Sequence, residues 1–220
     1  QKGCNVPYVF KDATAKRADG TNPIPVGTAM AYGQGRLWVA SGQEFYAGDL
    51  IGSEDDAVLT FSEAVYLNEG GAFSLPTGMG DVVAMHFIAQ QDTATGQGQL
   101  LIFGETGVAS VDAIVPRDQW KNASIQHVTL LNIGSTGHRS LCDVNGDVWF
   151  LAYDGWRTYR QARALINGWN QVPLSQPVGK YTDADSPQNR RFISAVNWDN
   201  RLLCTSGPVL TNGSSTHMGV

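Results

Sequence analysis

At four places along this chain a turn made of Gly, Asn or Asp runs directly into a short apolar strand and then into a second turn. The runs are Tyr32-Gly33-Gln34-Gly35-Arg36-Leu37-Trp38-Val39-Ala40, Gly96-Gln97-Gly98-Gln99-Leu100-Leu101-Ile102-Phe103, Val144-Asn145-Gly146-Asp147-Val148-Trp149-Phe150-Leu151 and Trp198-Asp199-Asn200-Arg201-Leu202-Leu203-Cys204. Asn-Gly and its relatives favour tight hairpins because both central residues of such a turn adopt positive φ. The runs recur at roughly 50 to 60 residues, near the upper end of the periods of repeated β-sheet units. A chain patterned in this way folds as short antiparallel units that bury their faces on one another. Proteins of that kind work mainly as surfaces or rings.

The intervening segments extend each unit. Ala29-Met30-Ala31-Tyr32, Leu37-Trp38-Val39-Ala40 and Glu44-Phe45-Tyr46-Ala47 predict a three-strand meander, its turns at Gly33-Gln34-Gly35 and Ser41-Gly42-Gln43. The second unit reads as strands over residues 82–88, 100–103 and 108–111. The continuous apolar character of the first of these fits a strand buried on both faces. Residues 140–144, 148–151 and 156–159 form the third unit, and residues 192–198 and 201–205 the fourth. Further strands are expected over 57–61 and 126–131. Residues 116–120 suit a single helical turn opened by Pro116, and residues 157–166 suit either one short helix or an extended strand. Residues 1–28, with Asn22-Pro23-Ile24-Pro25, read as an extended arm or linker, since Pro lacks a backbone donor. The repeat region would span 29–220. The fold class expected is all-β: a β-propeller or part of one, with a β-sandwich as the alternative.

Composition narrows the function. Only 16% of the 220 residues are charged while 25 are Gly, a balance that favours turns and short strands over long helices. A net charge of −5 disfavours a nucleic-acid groove as the main function. Arg157, Arg160, Arg163 and the pair Arg190-Arg191 are local exceptions. Cys4, Cys142 and Cys204 form no CxxC, and their odd number makes no disulfide framework. Cys142 and Cys204 lie on or beside apolar strands and read as buried thiols. No apolar run approaches the ~20 residues that span a bilayer. Gln1 is not an initiator Met, and residues 216–220 read as a strand cut short, so a piece of a longer polypeptide is expected.

Tests for chemistry return structural readings. Asp143-Val144-Asn145-Gly146-Asp147 opens like a calcium loop, but Val148 stands where such a loop needs Gly, Asp154 where it needs Glu, and strands flank it in place of helices. Asp49 with Glu54-Asp55-Asp56 could pair as general acid and base, yet the run reads as a solvated loop. His86, His127, His138 and His217 share no HExxH or HxH spacing, and no GxSxG elbow is present. His86 within an apolar strand reads as a core histidine, and His138 lies in the polar loop 134–140. The Gly-Gln-Gly turns have no following helix to hold phosphate. Trp38 and Trp149 read as core or sheet-interface residues, while Trp120, Trp156, Trp169 and Trp198 lie near turns and leave carbohydrate stacking open. Asn122-Ala123-Ser124 and Asn212-Gly213-Ser214 match the glycosylation sequon. No catalytic, cofactor-binding or metal-binding residue is assigned.

Several phrases, taken in order, resemble a family of tailed-bacteriophage virion proteins. They are Gly35-Arg36-Leu37-Trp38-Val39-Ala40 with Phe45-Tyr46-Ala47-Gly48-Asp49; Gly80-Asp81-Val82-Val83-Ala84-Met85 with Thr95-Gly96-Gln97-Gly98-Gln99-Leu100; Arg117-Asp118-Gln119-Trp120; Asn145-Gly146-Asp147-Val148-Trp149-Phe150 with Asp154-Gly155-Trp156-Arg157; and Asp199-Asn200-Arg201-Leu202-Leu203. Over most of residues 29–220 the chain is similar to β-propeller-containing tail-nozzle and head-to-tail connector proteins. The resemblance implies a non-enzymatic structural subunit of the virion, at its tail or neck. Copies of the chain would form a ring and touch other tail or neck proteins, and DNA would pass without sequence-specific binding. A lectin-like, receptor-binding propeller is the alternative, and a glycoside hydrolase or lyase on a propeller the third reading.

Overall fold

The computed structural model describes residues 8–11, 14–17, 26–48, 72–88, 98–113, 120, 126–164, 172–179, 187–211 and 214–217. The hairpin β1 (Tyr8–Lys11) and β2 (Thr14–Arg17) comes first. A first sheet follows, of β3 (Ala29–Gly33), β4 (Arg36–Ser41), β5 (Glu44–Ala47) and β6 (Ala72–Ser74). The second contains β7 (Val82–Phe87), β8 (Leu100–Gly104), β9 (Val108–Val111) and β10 (Gln126–Leu131). The third contains β11 (Cys142–Val144), β12 (Asp147–Ala152) and β13 (Gly155–Thr158), and the helix α1 (Tyr159–Ala164) succeeds it. The one-turn helix α2 (Pro187–Arg190) precedes a fourth sheet of β14 (Ala195–Trp198) and β15 (Arg201–Cys204). The hairpin β16 (Pro208–Thr211) and β17 (Ser214–His217) is last.

Every described strand pairing is antiparallel and joins neighbours in sequence. The protein is therefore all-β, built from repeated hairpins and meanders. The repeated turns account for this. Gln34-Gly35, Asn145-Gly146 and Asp199-Asn200 all have positive φ, between 50° and 72°. That backbone twist joins the first two strands of the first, third and fourth sheets through two-residue loops. In the second sheet the corresponding Gly-Gln-Gly turn falls largely outside the described residues, as do the strand expected over 57–61 and residues 116–119 of the helical turn expected over 116–120.

The sheets stack face to face in chain order. Trp38, Ala40 and Phe45 of the first sheet share one buried cluster with Met85, Leu100, Ile102, Ala109 and Val111 of the second. The opposite face of the second sheet, through Leu101, Phe103 and Val108, meets Val148, Phe150 and Ala152 of the third. The third turns Leu151 and Trp156 toward Ile193, against which Ala195, Leu202 and Cys204 of the fourth are packed. Strand β8 is consequently buried at every residue. Alternating side chains satisfy two interfaces at once, and each fully buried Leu or Phe contributes about 1.5–3 kcal/mol. A register shift between Val82 and Ala84 helps in β7. The extra residue of such a bulge lets Val82 reach the first interface and Ala84 the second. A two-layer sandwich buries one face of each sheet; here the two middle sheets bury both.

Three boundaries differ from the sequence reading. The described part of 157–166, residues 157–164, takes up both of the options considered: a strand to Thr158, then a helix whose Tyr159 and Ala162, three residues apart, face the second interface. The third sheet begins at Cys142 because His138–Ser140 forms a 3₁₀ turn. The fourth begins at Ala195 because the amides of Phe192 and Ile193 donate back to the carbonyls of Asn189 and Arg190.

Candidate functional site

Two features of the stack could carry function: the polar junction between first strands, and the outer faces of the end sheets. The first strands of consecutive sheets lie side by side. Gly33 of β3 sits so close to β7 that a Cβ there would land on the Phe87 ring. One strand further on, His86 Nε2 of β7 lies 2.8 Å from Asp143 Oδ2 of β11. An ionised carboxylate only accepts, so the imidazole is the donor. Asn197 of β14 then donates its side-chain amide to the Asp143 carbonyl at 2.8 Å. His86 is about a quarter exposed, with 28% of its side-chain surface open. It bridges two sheets, which places it between the core histidine expected and a solvent-facing base.

That junction also explains the resemblance to a calcium loop. In the β11–β12 hairpin Asp143 stands opposite Val148 and Val144 opposite Asp147, so the two carboxylates lie on opposite faces of the sheet. Asp143 turns to His86, while Asp147 Oδ1 accepts from the Arg160 amide at 3.1 Å. Asp154 is engaged by the buried guanidinium of Arg157. The oxygens that would bind a cation do not converge. Among the described residues no three His, Cys, Asp or Glu side chains are placed to hold a metal.

The other candidates separate by location. Trp38 and Trp120 are buried and stacked, their ring centroids 6.0 Å apart, with the Arg36 guanidinium 4.8 Å over Trp120. Trp156 is buried between the third and fourth sheets, Trp149 is half-buried, and Trp198 is exposed. Cys142 is buried and Cys204 half-buried, both as free thiols. Burial, followed by the Asp143 charge, pushes the Cys142 thiol above its usual range, against a smaller opposing hydrogen bond from the Asn197 backbone. In the loop 134–140 Ser135 and Ser140 are buried and bond to one another and to Gly137, which makes this part of the loop a structural corner. His138 is exposed beside it. Asp49, Glu54, Asp55, Asp56, Cys4, Asn122, Trp169 and Asn212 lie outside the described residues, and so do the side chains of His127, Arg163 and His217.

The end sheets present what sequence reasoning did not pick out. On the outer face of the first sheet Met30 is 73% and Tyr32 56% exposed, with half-buried Leu37 and Tyr46 beside them. On the outer face of the fourth, Val196 is 57%, Trp198 69% and Leu203 38% exposed. Both faces are apolar sheet surfaces of the kind that every internal interface covers. The residue pattern carries part of the signal in β3, where Met30 and Tyr32 stand opposite a face already apolar through Ala29 and Ala31, and none in β14, where Asn197 shares the packed face with Ala195. No family model matches this chain, and no curated protein matches it.

Proposed function

We propose that this chain is a structural, non-enzymatic subunit of a tailed-phage virion, a tail-nozzle or neck component that acts through subunit–subunit contacts around a DNA passage. The observation that carries the reading is the stack itself. Antiparallel meanders stack in chain order with their first strands adjacent, as in the blades of a β-propeller, and the two end sheets carry exposed apolar faces suited to neighbours. The resemblance of the ordered phrases to those of virion proteins suggests the biological setting.

In this reading the first strands line the passage, and an acidic chain repels passing DNA instead of holding it. Two of the arginines that would contradict the idea do not sit on first strands. Arg157 is on the third strand of its sheet, tied to Asp154, and Arg160 is on α1. A lectin would repeat an exposed Trp or Tyr at equivalent sheet positions. Three residues past the turn, Trp38 is buried in the first sheet, Trp149 is half-buried in the third and the fourth has Leu203, so among the described residues that pattern does not recur.

The test is mass spectrometry of purified virions from a host that produces this chain, followed by immunogold labelling. The expected result is the chain in stoichiometric amount, with label at the tail or neck. Its absence from particles, with affinity for a defined glycan on an array, would favour the lectin.

A further inference from the structure

We propose that the Asn145-Gly146 turn at the tip of the β11–β12 hairpin is a site of self-modification, where Asn145 loses its side-chain nitrogen and becomes aspartate or isoaspartate. Water is the co-reactant, and no electrons are transferred. The backbone nitrogen of Gly146 attacks Cγ of Asn145, the C–N bond of the side-chain amide breaks, and ammonia leaves with the proton of the Gly146 amide. A five-membered succinimide ring remains. Water then adds to one of its two carbonyl carbons, and the ring nitrogen takes up a proton as its bond to that carbon breaks. Cleavage at Cγ gives aspartate; cleavage at the backbone carbonyl carbon gives isoaspartate, whose main chain runs through Cβ and Cγ. This inference is independent of the assembly reading above.

Among the described turn tips this one combines the groups the reaction needs. Asn145 is exposed, and among the described residues no hydrogen bond holds its side-chain amide. Nothing stands within 4 Å of where a Cβ of Gly146 would be, so its nitrogen approaches unhindered. Gln34 would have to close a six-membered ring, and its side-chain nitrogen donates to the Gly98 carbonyl at 3.3 Å. Asp199 presents a carboxylate, which when ionised resists a nucleophile, and its neighbour Asn200 is followed by Arg201 in place of Gly. The Asp154 carboxylate is engaged by Arg157, and Gly155 is buried against Pro173 and Ser175. The pairs Asn167-Gly168 and Asn212-Gly213 lie outside the described residues.

The fold sets both the rate and the consequence. Asn145 is left-handed, with a φ of 53°. In a hairpin turn of this kind its ψ is about +30°, which turns the Gly146 nitrogen away from Cγ. Ring closure therefore waits for the tip to open, and Gly146 follows readily because it has no Cβ to restrict its φ. Isoaspartate then adds one atom to the main chain inside a two-residue loop. Val144 and Asp147 form the pair that closes this loop, and Asp147 Oδ1 accepts from the Arg160 amide in the first turn of α1. Lengthening the loop is expected to release that contact; aspartate leaves the main chain unaltered and keeps it.

In the experiment the full chain is aged at mildly alkaline pH, with and without urea, as wild type and as Gly146→Ala. Residue 145 is read by peptide mass spectrometry with fragmentation that separates isoaspartate from aspartate. The native wild type is expected to convert about tenfold more slowly than in urea, as a tip that opens locally does. Gly146→Ala sets a methyl group beside the attacking nitrogen and is expected to slow conversion severalfold in urea, where its effect on folding plays no part. In the isoaspartate fraction of the native protein the Arg160 amide is expected to exchange its hydrogen faster than in Asn145→Asp. No conversion at residue 145, in the native chain alone or in both samples, would overturn the site, and so would equal rates in urea for Gly146→Ala and wild type. Equal Arg160 exchange in the two products would overturn the predicted loss of the Asp147 contact.

Discussion

The rings of Phe103 and Phe150 meet across the junction of the second and third sheets, their centroids 5.2 Å apart and their planes tilted by 54°. Both are fully buried, and each comes from the central part of its meander. A tilted aromatic pair adds to plain area burial because the edge of one ring faces the electron-rich face of the other.

Truncating either ring is therefore expected to cost about 3–5 kcal/mol. The double variant Phe103→Ala, Phe150→Ala should cost less than the sum, by about 0.5–1.5 kcal/mol for the lost ring–ring contact. Urea unfolding of the four proteins of this cycle measures both quantities. Strict additivity would mean that the two sheets do not meet through this pair.

The turn glycines allow a sharper separation of backbone from packing effects. Gly146 has a φ of +72° and open space where a Cβ would stand. Gly146→Ala is expected to cost only the left-handed backbone penalty, about 1–2 kcal/mol. At Gly134 a Cβ would strike the carbonyl oxygen of Gly104 and the backbone of Glu105. Backbone cannot swing aside as a side chain can, and the neighbouring Ser135 amide donates to that same Gly104 carbonyl at 3.1 Å. Gly134→Ala is expected to destabilise more than Gly146→Ala in the same urea series; the reverse order would refute the assignment of the 134–140 loop as a packed corner.

These positions also show what local sequence encodes and what it omits. Hairpins are local objects, so Asn145-Gly146 and Asp199-Asn200 announce themselves through the φ values their turns need. The bulge at Val82–Ala84 is different. It lets β7 give one side chain to each of the two sheets on its opposite sides, and the strands it meets there, β4 and β12, are distant from it in sequence. The His86–Asp143 contact likewise joins residues 57 positions apart. From the sequence His86 had only its apolar neighbours and Asp143 only its resemblance to a metal ligand. The exposed faces of the end sheets became visible only once the internal sheets had been seen to bury both of theirs.

Tyr46 offers a pH-dependent readout of the first sheet. Burial, and then the Glu44 carboxylate to which its hydroxyl donates, push the phenol from 10.0 to about 12. The fold thus holds this proton more tightly than the unfolded chain does. The resulting stability is fully present below pH 10 and is lost as pH rises toward about 12. Tyr46→Phe has no proton to lose, so its stability should fall less steeply across that window than the wild type's. Parallel slopes in chemical denaturation at pH 10, 11 and 12 would show that Tyr46 titrates as it does in the unfolded chain.

The two described cysteines should differ in reactivity for reasons the stack supplies. The thiolate is the nucleophile, so a thiol pushed upward in pKa is less reactive at any given pH as well as less accessible. Cys142 meets both conditions: it is buried on β11, and the neighbouring Asp143 charge adds to the effect of burial. Cys204 ends β15 on the packed side of the fourth sheet, yet it keeps partial exposure. Brief alkylation of the native protein at neutral pH, read peptide by peptide by mass spectrometry, should label Cys204 well ahead of Cys142. Adding urea should bring the two rates together, because unfolding removes both the cover and the fixed carboxylate. Native labelling of Cys142 as fast as Cys204 would mean that the third and fourth sheets separate in solution and that their interface is not a stable part of the stack.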